Sequence, residues 1–173
     1  LYLISLTGAE RSFTYWRSAS AAKMLANDEQ FLRTSLSQAD VIYFSGITLA
    51  ILTPSHRRIL LGVLREMKSM GITVAFDSNA RRKLWPSDMA MKKAVIAGYR
   101  TATLAMPTFD DERALFGDVS TIECAKRIAG YGVGEIVVKD GANPCTILKG
   151  GELSSVAANQ VEGIVDTTGA GDS

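Results

Sequence analysis

Cysteine and histidine are scarce in this chain, which holds Cys124, Cys145 and a single histidine, His56. That is too few for a Cys/His zinc cluster or a disulfide scaffold, and two reduced thiols in a cytosolic protein is the reading that remains. Long apolar runs are missing as well. The most apolar stretch, Val41 to Leu52, is broken by Ser45, Gly46 and Thr48, well short of the roughly 18 apolar residues a membrane-spanning helix needs. Nor is there an excess of charge of one sign. Lys plus Arg number 19 against 18 Asp plus Glu, leaving +1, which gives no support to a nucleic-acid footprint. There is no internal repeat, no low-complexity tract and no basic leader. The first residue is Leu1 rather than methionine, and the sequence stops at Gly-Ala-Gly-Asp-Ser, where a helix would begin. Both ends are therefore expected to be cut.

What is present is an ordinary globular mixture: 173 residues, 47% apolar, 21% charged and 8% aromatic. Such a chain suits one domain, or one domain with a small appendage, and buries a core without metal or disulfide staples. Leu1 to Leu6 and Ser12 to Arg17 are β-prone around the turn signal Thr7-Gly8-Ala9-Glu10 and predict a hairpin. Asn27 followed by Gln30 resembles a capping box opening a helix to about Gln38. Val41 to Ser45 suits a buried strand. Thr53-Pro54 predicts a helix start, with Ile59, Leu60, Val63, Leu64, Met67 and Met70 as its apolar face and Gly71 as its stop. Further strands are expected at Ile72–Phe76, Ala102–Met106, Glu135–Lys139 and Cys145–Leu148. Helices are expected at Ser87–Ala97, Thr108–Phe116 and Ser120–Ala129. Strand and helix in alternation predict βαβ units and a mainly parallel sheet flanked by helices.

The segment with most chemical content is Val165-Asp166-Thr167-Thr168-Gly169-Ala170-Gly171-Asp172-Ser173. Glycines tolerate positive φ and close approach, so backbone N–H groups can converge there. A helix starting at that point would add the positive end of its dipole, and together these form an anion hole. A carboxylate in such a hole does not bind phosphate, because like charges repel; Asp172 suits a base that takes a proton from a hydroxyl. A helix start capped by Asp172 accounts for the same residues.

The unbroken run Asp166 to Ser173 resembles the signature of the ribokinase-like, or PfkB, carbohydrate kinases. Phe13-Thr14-Tyr15-Trp16-Arg17, Phe44-Ser45-Gly46-Ile47, Phe76-Asp77-Ser78-Asn79-Ala80-Arg81 and Leu84-Trp85 are similar to the branch acting on ketodeoxy sugar acids. The resemblance covers essentially the whole chain, but only the middle of a complete family member. It implies a ribokinase-like α/β fold, with residues 1–17 part of a small β lid and 18–173 the central part of the kinase domain. It also implies Asp172 as catalytic base toward a primary sugar hydroxyl, and Gly169, Ala170 and Gly171 as the anion hole for the transferring phosphoryl group. ATP and Mg²⁺ are the implied cofactors, without any Walker loop, since no Gly-x-x-x-x-Gly-Lys-Ser/Thr is present. Thr168, Lys139 and Gly141 fall on the nucleotide side. Asp166 is a candidate for a monovalent cation or equally a turn residue. Tyr2, Tyr15, Arg17, Asn79 and Arg81 fall on the sugar side, where an arginine fork suits a carboxylate. Read without the resemblance, the two arginines are surface charges.

Two departures from the family pattern stand out. The family's Asn-x-x-Glu, which supports magnesium and phosphates, here reads Thr108 and Asp111 with Glu112 next, so Asp111 and Glu112 become the candidate metal residues. A common Gly-x-x-Gly turn is replaced by Gly141 and Pro144. The implied partners are a sugar acid, ATP and a second copy of the chain paired through the lid, in the cytoplasm, with neither nucleic acid nor membrane. Other kinases of the family, acting on ribose, fructose or a nucleoside, and a non-catalytic binding module are the competing readings. Residues 1–173 alone are expected to lack part of both substrate sites and to be inactive.

Overall fold

The computed structural model describes residues 2–7, 10–15 and 19–159. Two antiparallel strands, β1 (Tyr2–Thr7) and β2 (Glu10–Tyr15), form a sheet of their own with Tyr2 opposite Tyr15. Among the described residues the main sheet has six strands in simple sequential order: β3 (Val41–Ser45), β4 (Thr73–Asp77), β5 (Leu104–Ala105), β6 (Glu135–Val138), β7 (Cys145–Lys149) and β8 (Glu152–Val156). The first four run parallel and the last two are antiparallel additions. Between them lie α1 (Glu29–Leu36), α2 (Gly46–Ile51), α3 (Pro54–Ser69), α4 (Asp88–Thr101), α5 (Phe109–Phe116) and α6 (Thr121–Ala129).

Local chemistry accounts for most boundaries. Thr53 accepts from the His56 N–H with Pro54 at the first helical position, so α3 begins where expected. Ser87 and Ser120 cap α4 and α6 in the same way. The α1 cap is Asp28, accepting from Phe31 N, and not Asn27, whose amide reaches the Met24 sulfur instead. The α3 face buries Leu60, Leu61, Val63, Leu64 and Met67, but Met70 is 59% exposed because the helix ends there and Gly71 turns the chain at φ +87°. α4 runs one turn beyond Ala97, and β8 was not apparent from sequence. Every β8 side chain is exposed, so the strand has no apolar pattern. It exists because Gly150 and Gly151, both at positive φ, close a two-residue turn that pairs Lys149 with Glu152.

Burial alternates along β6, β7 and most of β3, while the central strand β4 is buried on both faces from Val74 to Asp77. Ile42 and Phe44, Val74 and Phe76, and Ile136 and Val138 are buried against the helices, while Val41 and Tyr43 are exposed. Phe76 lies at the centre, 4.6 Å from the Phe44 ring and edge-on to Tyr99 at 5.2 Å. Gly98 of α4 packs flat on Phe76, and a Cβ there would come within 2.5 Å of the ring.

Candidate functional site

The parallel strands present their carboxyl ends along one edge of the sheet, where open α/β sheets bind ligands. The ends of β3 and β4 are pressed together: a Cβ on Gly46 would lie 1.9 Å from the Ser78 carbonyl oxygen, so only glycine fits. Beyond β4 the chain turns sharply. Asp77, buried, accepts the Asn79 N–H on Oδ1 at 2.9 Å, and Asn79 takes φ +30°, a conformation asparagine tolerates better than most residues. That turn aims the Ala80 N–H at Asp111 Oδ2, 3.0 Å away on α5. Arg81 follows, exposed to solvent. Burial raises the Asp111 pKa, with the Ala80 N–H and the Arg81 charge acting in the opposite direction.

The second side of the edge is the end of β6. Lys139 N donates to Pro107 O at 2.9 Å and Lys139 O accepts from Phe109 N at 2.8 Å, extending the sheet ladder to the start of α5. The Lys139 ammonium reaches back over β5 to Asp77 Oδ2 at 2.8 Å. Gly141 stands in an exposed turn at φ +58° with open space around its Cβ position. Asn79, Arg81, Asp111 and Lys139 thus lie on one edge, where the Asn79 N–H and the Lys139 ammonium share one carboxylate, that of Asp77. Its role was not legible from sequence; the available signal is a carboxylate closing the otherwise apolar strand Thr-Val-Ala-Phe-Asp. Tyr2 and Tyr15 are paired strand residues. Arg17, Asp166, Thr168, Gly169, Ala170, Gly171 and Asp172 lie outside the described residues.

Glu112 is not at this edge in the way the sequence suggested. Its side chain is fully buried, Oε1 accepting from the Tyr99 hydroxyl at 2.7 Å and Oε2 from Arg127 Nη2 at 2.7 Å. Arg127 also grips Asp118 and approaches the Cys124 sulfur at 3.8 Å. Glu112, Asp118 and Cys124 could by spacing alone surround a metal ion, but the Arg127 guanidinium already bonds to these groups as their cation. Of the two adjacent acids proposed for a metal, the helix turns Asp111 toward the edge and Glu112 into the core. Burial pushes the Cys124 thiol up, consistent with a packing residue. Both cysteines are free.

These features define an α/β protein whose polar groups converge at the carboxyl edge of a parallel sheet. The description "pfkB family carbohydrate kinase" matches residues 1–173; the chain belongs to this family of sugar kinases. It is 40% identical, over 100% of its own length and 58% of the other's, to the 2-dehydro-3-deoxygluconokinase of Dickeya dadantii (strain 3937). It is 39% identical, over 99% and 57%, to the 2-dehydro-3-deoxygluconokinase of Escherichia coli (strain K12). The crystal structure of a PfkB protein from Polaromonas sp. JS666 superposes with a TM-score of 0.81 at 24% identity, covering 99% of this chain and 55% of that one, a likeness of fold. The chain spans a little over half the length of the curated relatives it matches.

Proposed function

We propose that the protein carrying this chain transfers the γ-phosphoryl group of ATP to 2-keto-3-deoxygluconate, forming the 6-phospho product. The observation that carries this reading is the 40% identity to a kinase named for that substrate, sustained over the whole chain. The edge geometry is compatible with it: Arg81 follows a turn held by two carboxylates and is free of burial, as a carboxylate-binding fork requires.

In this reading Asp172 accepts the proton of the attacking hydroxyl, and the N–H groups of Gly169, Ala170 and Gly171 stabilise the charge developing on the phosphoryl oxygens. Lys139, Gly141 and Thr168 face the nucleotide. Arg17, Arg81, Asn79, Tyr2 and Tyr15 face the sugar acid, the β1–β2 pair acting as a lid that excludes water and pairs two subunits. Mg²⁺ suits the donor set, since it takes one or two carboxylates together with substrate phosphates. Asp111 is the described residue that would hold it, and the bound ion would neutralise phosphate charge. Glu112, closed off by Tyr99 and Arg127, is left out of that set. Asp166 would serve a monovalent cation. A cytoplasmic location accords with the use of ATP.

A coupled ADP-release assay on the full-length protein, run against neutral sugars and sugar acids, tests this. The expected result is the highest kcat/KM for 2-keto-3-deoxygluconate. A higher value for ribose, fructose or a nucleoside would overturn the substrate assignment.

A further inference from the structure

We infer that Asp77 is a positioning residue that couples the two substrate sides of the site through Lys139. The inference rests on the reading that Lys139 faces the nucleotide and Arg81 the sugar acid. Asp77 touches neither in the proposed arrangement; it acts through what it holds. One carboxylate oxygen, Oδ1, accepts the Asn79 N–H and sets the turn that directs Ala80 to Asp111 and leaves Arg81 at the surface. The other, Oδ2, takes the Lys139 ammonium from a strand two places away in the sheet. The Asp77 side chain is 5% exposed and that of Lys139 27%.

That asymmetry matters. A carboxylate this deeply buried is strongly disfavoured without its cation, so Asp77 holds the ammonium in place. The Lys139 side chain, by contrast, keeps part of its surface open to solvent. Displacing the ammonium or removing its charge leaves Asp77 under-compensated, and the first element to respond is the turn that shares the same carboxylate. Loss of Lys139 is thereby transmitted to Asn79 and Arg81, on the opposite side of β5. A lysine that only bound nucleotide would have no such reach.

The test uses the full-length kinase with Lys139→Met, Lys139→Arg, Asp77→Asn and the Asp77→Asn/Lys139→Met pair, measuring KM for ATP and for 2-keto-3-deoxygluconate separately from kcat. Asp77→Asn keeps an oxygen for the Asn79 N–H and removes only the charge. The expected result is that Lys139→Met raises KM for the sugar acid about tenfold as well as KM for ATP, while Lys139→Arg, which keeps a cation for Asp77, restores the sugar-acid KM. The double variant is expected to show a sugar-acid KM no worse than Lys139→Met alone, since coupled residues are not additive. A sugar-acid KM within about twofold of the parent in Lys139→Met overturns the coupling, as does full additivity in the double variant. If Asp77→Asn does not fold, the Met and Arg variants at Lys139 decide the matter alone. Absence of any sugar-acid turnover by the parent enzyme would instead remove the functional reading on which the inference rests.

Discussion

Replacing Arg127 by methionine should cost about 3–5 kcal/mol of stability at neutral pH, the usual penalty for leaving a buried charge without its partner. Arg127 Nη2 lies 2.7 Å from Glu112 Oε2 and 2.7 Å from Asp118 Oδ2, with Nε 2.9 Å from Asp118 Oδ1. The two acidic side chains are 0% and 4% exposed. Burial works against the Arg127 charge, but Asp118 and Glu112 outweigh it and raise its pKa, so the guanidinium stays ionised. Methionine keeps apolar bulk against the Phe116 ring, 3.9 Å from the guanidinium carbon, so the substitution removes charge more than packing. For a chain of this size, where each kcal/mol moves Tm by about 2–4 °C, Tm should fall by roughly 6–20 °C. The loss should also depend on pH. Burial, opposed by Tyr99 and Arg127, already raises the Glu112 pKa above its ordinary 4.5. A carboxyl raised in the folded state contributes stability that is complete below the unfolded pKa and is lost as pH rises through the folded value. Without Arg127 the folded value rises further, so the deficit should be smallest at a pH near the ordinary 4.5 and larger at a pH well above it. Glu112→Gln, which removes the titrating group, should flatten that dependence. Thermal unfolding followed by circular dichroism at both pH values checks this. A deficit under about 1 kcal/mol, or one independent of pH, would refute the buried-network account.

Arg81→Ala should raise KM for the sugar acid roughly 10–100-fold, the worth of a charge-assisted bond, with Tm unchanged because the side chain is exposed; steady-state kinetics beside a melting curve checks both. Asp172→Asn should lower kcat by about 10²–10⁴-fold while both KM values hold, and undiminished turnover would remove it as base. Gly46→Ala places a methyl on the Ser78 carbonyl. It should cost about 1–3 kcal/mol and disturb the adjoining Arg81 turn, read as lowered Tm together with a raised sugar-acid KM.

Much of the fold was legible because its signals are local. Thr53-Pro54, Ser87 and Ser120 announce helix starts through their own hydroxyl caps. The parallel order follows from alternating strand and helix patterns. α2 was not legible, since Val41 to Leu52 is a near-continuous apolar run with no period to separate strand from helix. The break at Ser45 comes from its capping box with Thr48 and from the contact of Gly46 with Ser78. The site divides in the same way. Asn79, Arg81, Asp111 and Lys139 could be nominated from motif positions, but the pairing of Asp77 with Lys139 joins residues 62 positions apart.

The sequence by itself determined the alternation of elements, the helix caps and the kinase signature at Asp166 to Ser173, because each is written in residues a few positions apart. Only the tertiary structure decided which of two neighbouring acids serves the edge. Asp111 and Glu112 are adjacent acids in the sequence, yet a helix turns successive side chains about 100° apart. One therefore meets the Ala80 N–H at the sheet edge, and the other meets Tyr99 and Arg127 in the core.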